Sequence, residues 1–361
     1  MSTKSTGTGS ASTGSASTGP TSTEVLVIGG GPIGLAAAIE SRRAGREVVV
    51  VEPRPAPIDK ACGEGLMPGA LRGLHELGID PVGHPLVGIS YRDGRRQVDH
   101  RFRSGPGRGV RRTTLQQAMA DRAEQLGVRM VRAKAESIEY RPGGVAAAGI
   151  TARWLLACDG LHSPTRRALG LEGAPSTSRP ERRFGLRQHF RVPAWTDFVE
   201  VHWGSGVEAY VTPVGTDEVG VALLGPPGLD YRAELAGFAE LSERLRGAEP
   251  LGPVRGAGPL RQRSRRRTAG PVRLVGDASG YVDALTGEGI RVGLAQARAA
   301  VATLEQDPAD YEREWSRATR SYRVLTSGLV QWASSPVRGA IVPVATTFPR
   351  LYGAIVDRLA Q

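Results

Sequence analysis

The 361-residue chain is 40% hydrophobic and 23% charged, the composition of a soluble globular protein with a core large enough for one or two domains. Lys and Arg number 47 against 36 Asp and Glu, a net charge of +11, yet aromatics are only 5% and do not interleave with the scattered arginines, so we read a solvated basic face and no nucleic-acid partner. Two cysteines and six scattered histidines supply neither a disulfide framework nor a metal site, which favours a reduced, cytoplasmic protein.

Residues 1–22 are almost wholly Ser, Thr, Gly and Ala, and we expect a disordered tail outside the fold. No window approaches about 18 consecutive apolar residues, so no membrane-spanning helix is expected. Thr23 to Glu52 then predicts strand, glycine turn, helix, strand and acid. The β-formers Val25 to Ile28 lead into Gly29-Gly30-Gly31-Pro32-Ile33-Gly34, a small-residue helix runs to about Ala44, and Val48 to Val51 ends at Glu52. In a dinucleotide site every part has a mechanical role. Gly29 makes the tight turn, Gly31 lets the pyrophosphate meet bare backbone, Gly34 lets helix and strand pack, and Glu52 accepts from the ribose. The bare glycine pattern is expected about once by chance in so glycine-rich a chain, so its weight lies in this context.

Further on, a helix is expected over Pro68 to Leu77 and a hairpin from Leu86 to Tyr91 and Gln97 to Phe102, within a second domain. Thr113 or Thr114 should cap a helix reaching Leu126. Val128 to Val131, Ser137 to Tyr140 and Ala152 to Ala157 read as strands, the last ending in Cys158-Asp159-Gly160. From Phe184 to Leu224 four alternating segments predict an antiparallel sheet, followed by a helix over Arg232 to Leu245. Val272 to Asp277, a glycine-rich loop and a helix from Gly289 to Leu304 return to the nucleotide-binding pattern. Ser321 to Gln361 suggests two or three short helices with Trp332, Phe348 and Tyr352 exposed, either a cap over the core or a lid touching an apolar substrate or a membrane surface.

Three segments carry a resemblance: the glycine turn, Leu155-Leu156-Ala157-Cys158-Asp159-Gly160, and Leu274-Val275-Gly276-Asp277-Ala278-Ser279-Gly280. In this order and spacing they resemble the flavoprotein superfamily of aromatic-ring hydroxylases, flavin halogenases and geranylgeranyl reductases, over about residues 23 to 305. The resemblance implies FAD as cofactor, with Arg112 in an Arg-x-x-Leu segment before a helix, Asp159, and Asp277 at a strand end suited to ribityl hydroxyls. It also implies that Gly287, Gly289 and Ile290 aim backbone N–H groups at the flavin ring. We therefore expect an α/β fold: a discontinuous, doubly wound FAD domain (23–80, 109–175, 260–320), an inserted sheet domain (81–108, 176–259), and a C-terminal helical segment (321–361).

Lys60-Ala61-Cys62-Gly63-Glu64-Gly65-Leu66 looks like the K-x-C-G-x-G-L segment of the reductases. Their aromatic Y-x-W-x-F-P segment survives only as Tyr210-Val211-Thr212-Pro213, and the tryptophan-rich segment of halogenases is not found. Cys62 is either a thiol acting beside the flavin or a small residue needed by a tight loop. Tyr210, His189, His202 and Arg187 are candidates to orient substrate, or structural residues of the sheet. The expected activity is FAD-dependent redox chemistry on an apolar or aromatic small molecule, with NAD(P)H as transient reductant. Loss of the aromatic segment tilts the reading toward a monooxygenase using O2. Alkene reduction is the alternative, and a non-catalytic nucleotide-binding scaffold a third.

Overall fold

The structure, a computed structural model, describes residues 21–174 and 182–361. Most of the expected tail, and the expected domain boundary at 175–176, lie outside them. The tail expectation runs slightly too far, because Ser22 already opens the first strand and Thr21 accepts a hydrogen bond from Thr151.

The first sheet has a parallel core in the order Val272–Leu274, Ile150–Ala157, Ser22–Ile28, Val48–Val51 and Arg129–Val131. Val48 to Val51 are all buried, as expected for a strand covered on both faces, where side chains of either orientation meet apolar neighbours. On one face the helices Pro32–Arg43, Arg112–Gln125 and Gly289–Ala302 pack through Leu35, Ile39, Met119 and Ala297. The hairpin Ile138–Arg141 and Gly144–Ala147 extends from Ile150–Ala157. The helix that begins at Arg112 follows Arg111, with no side-chain cap from Thr113 or Thr114.

The second sheet has seven strands in the order Glu249–Ala257, Phe184–Arg191, Glu218–Gly225, Glu208–Pro213, Phe198–Trp203, Gly88–Arg92 and Gln97–Arg101. Neighbours are antiparallel except Phe198–Trp203 and Gly88–Arg92, where the earlier hairpin joins in parallel. The strand Glu249–Ala257 was not expected. It contains Pro250, Gly252, Pro253 and Gly256 and lies at an exposed edge, the place in a sheet where proline costs no internal hydrogen bond. Val211, Val221 and Leu223 on one face pack against the helices Tyr231–Ala236 and Ala239–Arg244, which divide the expected single helix at Gly237. The opposite face looks toward the first sheet.

The C-terminal expectation needs correction in two respects. Pro308–Ala333 is one helix of 26 residues, so Ser321 lies in its middle and the short helices are Ile341–Thr347 and Pro349–Ala360. Phe348 is 57% exposed as expected, but Trp332 is half-buried, and Tyr352 is 5% exposed and donates its hydroxyl to the Ile89 carbonyl at 3.0 Å. The apolar side of the last helix, Tyr352 and Val356, seats on the hairpin end of the seven-stranded sheet. No single helix among the described residues is long and apolar enough to cross a membrane.

Candidate active site

A cavity of about 420 Å³ lies between the two sheets. From the seven-stranded sheet it receives alternate residues of successive strands, Ile89 and Tyr91, Val199 and Val201, Tyr210 and Thr212, Ala222 and Leu224, as the two-residue period of a strand requires. The opposite wall is made by strand ends and loops: Gly31 to Ile33, Cys158 to His162, Val275 to Asp277, Ala284 to Gly287, and Gly289 with Ile290. The Lys60–Met67 loop closes one side and Leu359 of the last helix reaches in from another.

The glycine turn is built as the spacing requires. Gly29 has φ +105°, and a Cβ there would lie 2.5 Å from the Cys158 carbonyl oxygen. A Cβ on Gly34 would lie 1.8 Å from the Gly29 carbonyl oxygen, so helix and strand touch through bare backbone. At Gly31 the nearest atom to such a Cβ is Arg112 Nη2, at 3.7 Å. The backbone there faces the cavity, at the N-terminus of Pro32–Arg43, where orphan N–H groups favour an anion.

Glu52 is buried at the end of its strand. It accepts from the Gly30 N–H at 2.9 Å, from Arg54 N and Nε at 3.0 and 2.7 Å, and from Arg54 Nη2 at 3.0 Å. Burial alone would raise its pKa, but these hydrogen bonds from Arg54 and Gly30 win and hold the carboxyl below the ordinary range. Arg112 lies across from Gly31, and its Nε is buried and unpaired among the described residues. Burial draws Arg112 below the usual arginine range, against the pull of Cys62, Asp277 and Glu64. Asp159 accepts from the Thr165 N–H at 2.9 Å through one oxygen, and its other oxygen is buried without a partner among the described residues. Asp277 stands at the cavity wall with Lys60 Nζ at 3.7 Å. Gly287, Gly289, Pro32 and Ile33 line the cavity with Ile290.

On the substrate side the sequence candidates separate. Tyr210 lines the cavity and donates its hydroxyl to the Leu285 carbonyl at 3.2 Å, and burial pushes its phenol far above the ordinary range. Cys62 also lines the cavity. Burial pushes its thiol up, with Arg112 pulling the other way. His202 faces away from the cavity and binds Glu200 at 2.9 Å. His189 and Arg187 lie on the cavity face of their strand, in register with Gly220 and Ala222, but the loop around Glu64 covers them and neither touches the cavity. His189 is 0% exposed and meets Glu64 Oε2 at 2.5 Å.

Sequence reasoning passed over Glu64, which is buried and holds φ +59°, a backbone state that costs a non-glycine residue about 1–2 kcal/mol. It also passed over Tyr91 and Tyr281, which line the cavity. The alternation of Gly88 to Arg92 carried the signal for Tyr91. No group of His, Cys, Asp and Glu among the described residues could hold a metal ion.

Strand-end loops whose open backbone suits a dinucleotide, facing an apolar sheet across one cavity, define a flavoprotein oxidoreductase fold. The chain belongs to the FAD-binding-domain family, whose model matches residues 22–206, and it is an FAD-dependent oxidoreductase. It is 31% identical over 321 residues to menaquinone reductase of Mycobacterium tuberculosis, covering 81% of this chain and 78% of that one. An FAD-dependent monooxygenase of Beauveria bassiana is 31% identical over 261 residues, 63% of this chain and 61% of the relative. Among solved structures, a flavoprotein/dehydrogenase from Cytophaga hutchinsonii superposes with a TM-score of 0.82 at 21% identity, over 94% of this chain and 92% of that one.

Proposed function

We propose that this flavoenzyme reduces a carbon–carbon double bond in an apolar small molecule, with NAD(P)H as the transient reductant. The observation that carries the reading is the composition of the cavity. Its sheet face is apolar, and Tyr91 and Tyr210 on the sheet, with Tyr281 on a loop, line the cavity, so aromatic side chains reach it although residues 210–213 lack the tryptophan and phenylalanine whose absence weighed toward oxygenation. The reductase relative matched over 81% of the chain supports the same choice.

The residues present fit FAD. The open backbone at Gly31 and the Arg112 guanidinium, with its unpaired Nε, suit a pyrophosphate, and Glu52, whose acceptor positions Arg54 and Gly30 fill, would take the adenosine ribose with the Arg54 side chain turned aside. The free oxygen of Asp159 and the carboxylate of Asp277 suit hydroxyls of the ribityl chain. Pro32 and Ile33 would hold the cofactor's mid-section. Gly289 and Ile290 would present first-turn N–H groups to the flavin ring, contributing about 0.3–1 kcal/mol at an exposed site and up to about 2 kcal/mol in a partly buried one, while the Gly287 N–H is already given to the Ala284 carbonyl at 3.1 Å, so that Gly287 shapes the loop and does not join them.

FAD held by these residues would supply the hydride chemistry, with the nicotinamide as its source. The side chains at Ile89, Val199, Val201 and Leu224 exclude water and hold an apolar substrate in the cavity, where desolvation strengthens every polar contact. A proton from an acidic group of the cavity would complete addition of two hydrogens across the double bond. The exposed Phe348 and Leu351 beside Arg350 form a face suited to peripheral membrane contact, from which an apolar substrate would enter beneath the last helix.

Oxygen transfer from O2 is the second reading, favoured by the Beauveria bassiana monooxygenase relative. The two are separated by mixing holoenzyme, reduced anaerobically by light, with a prenylated naphthoquinone. Reduction of the double bond requires the oxidised flavin absorbance to return without oxygen and the recovered quinone, after any hydroquinone is reoxidised in air, to be heavier by two hydrogens; a flavin that stays reduced until air is admitted, or a quinone recovered unchanged, rejects the proposal.

A further inference from the structure

Glu64 belongs to the loop that carries Cys62, and its carboxylate leaves that loop in two directions. One oxygen accepts the Arg112 backbone N–H at 2.7 Å, where the cofactor-side helix begins; the other meets His189 Nε2 at 2.5 Å on the substrate sheet. His189 Nδ1 lies 2.8 Å from Arg187 Nη1. A guanidinium can only donate, so Nδ1 must be the accepting nitrogen and Nε2 must carry the proton given to Glu64. Arg187 in turn binds Asp59 Oδ1 at 2.5 Å and the Lys60 carbonyl at 3.3 Å, gripping the start of the same loop. The Thr212 hydroxyl fixes its centre by donating to the Gly63 carbonyl at 2.9 Å. His189, Glu64 and Arg187 are all buried, and a hydrogen-bonded network of this kind holds one arrangement only while every member is satisfied.

From this we infer that Glu64, His189 and Arg187 form a lock between the substrate sheet and the cofactor-binding helix, and that the lock sets the position of the Cys62 thiol on the cavity wall. The three are positioning residues, acting through the loop backbone. The inference rests on the proposed function only in taking the cavity as the place where substrate meets flavin. Because the lock holds the half-buried Cys62 against the cavity wall, where desolvation raises its thiol pKa, releasing it hydrates the thiol and speeds its reaction.

The test is the alkylation rate of Cys62 by iodoacetamide in the full-length, FAD-loaded protein, read by mass spectrometry, with buried Cys158 as internal control. His189→Phe keeps a ring but offers Glu64 no donor. In Glu64→Gln the amide can accept from His189 only by turning its NH2 toward the Arg112 N–H, donor against donor. Both variants should alkylate at Cys62 at least about tenfold faster than the parent while Cys158 stays unlabelled. His189→Gln, whose amide restores a donor to Glu64, should stay within about threefold of the parent. Unchanged Cys62 rates in His189→Phe and Glu64→Gln overturn the inference, as does a His189→Gln protein no better than His189→Phe. Equal labelling of Cys62 and Cys158 also overturns it, since the residues would then support the whole fold and not the loop. Alkylation does not depend on which substrate is reduced, so failure here leaves the reductase reading standing, and failure of that reading leaves this one.

Discussion

A methyl group added at Gly31 and one added at Gly34 have opposite consequences, although the two glycines share one turn. At Gly34 the new carbon would lie 1.8 Å from the Gly29 carbonyl oxygen and 3.3 Å from Cys158 Cβ. The helix must then lift off the strand, at a cost at or beyond the roughly 1–3 kcal/mol of ordinary overpacking. At Gly31 the nearest atom is 3.7 Å away, and φ −71° with ψ 173° is a conformation alanine adopts freely. Gly31→Ala should therefore leave the apoprotein unchanged or stabilise it by up to about 1 kcal/mol, through the smaller entropy of the unfolded chain. The same methyl stands where a pyrophosphate has to reach bare N–H groups. Losing one charge-assisted hydrogen bond costs roughly 1.5–3 kcal/mol, about tenfold to a hundredfold in affinity. Thermal melting of the two apoproteins and FAD titration by flavin fluorescence separate the effects: Gly34→Ala melts early, while Gly31→Ala melts with the parent and binds FAD weakly. A Gly31→Ala protein that holds FAD as tightly as the parent refutes the placement of the pyrophosphate.

Glu52→Ala and Asp277→Ala should each release FAD about tenfold to a hundredfold more readily, again by loss of one charge-assisted bond; equilibrium dialysis with the parent's affinity in both variants rejects the two acids as ligands. Stability should also depend on pH through His189. Its pKa is lowered from 6.5, first by burial, with Glu64 opposing, so between the folded and unfolded values the unfolded chain binds the extra proton. Stability is then fully present above about 6.5 and is lost as pH falls below it toward the folded value. Urea unfolding from neutral to acid pH should show a shallower decline in His189→Gln than in the parent, and equal slopes would contradict the assignment of a neutral, buried imidazole.

The nucleotide-binding half was legible because its constraints are local. Strand, glycine turn, helix and acid fall within Thr23 to Glu52, and the glycines at 29 and 34 are demanded by contacts of 2.5 and 1.8 Å that no side chain survives. Alternation likewise marked Phe198 to Trp203 and Glu218 to Leu224 as strands of the second sheet. What escaped depends on distant partners. Nothing in the periodicity of Glu249–Ala257 distinguishes an edge strand rich in proline and glycine from a loop. Tyr352 is buried only because the last helix returns to Ile89, 263 residues away. The bond between Glu64 and His189 spans 125 residues, so the two sequence segments show an acid in a glycine loop and a histidine in a strand, and only the fold joins them. Of the four candidates named on the sheet, His202 points to the other face, and His189 and Arg187 point toward the cavity without reaching it, because strand alternation does not tell what lies over a side chain.

The reaction itself is tested most directly by incubating holoenzyme, NADH or NADPH and a prenylated naphthoquinone with and without oxygen, and weighing the product. Alkene reduction predicts a product that stays heavier by two hydrogens after any hydroquinone is reoxidised to the quinone, formed equally well under both conditions and at the expense of the nicotinamide. A product heavier by one oxygen atom, formed only in air, would contradict it.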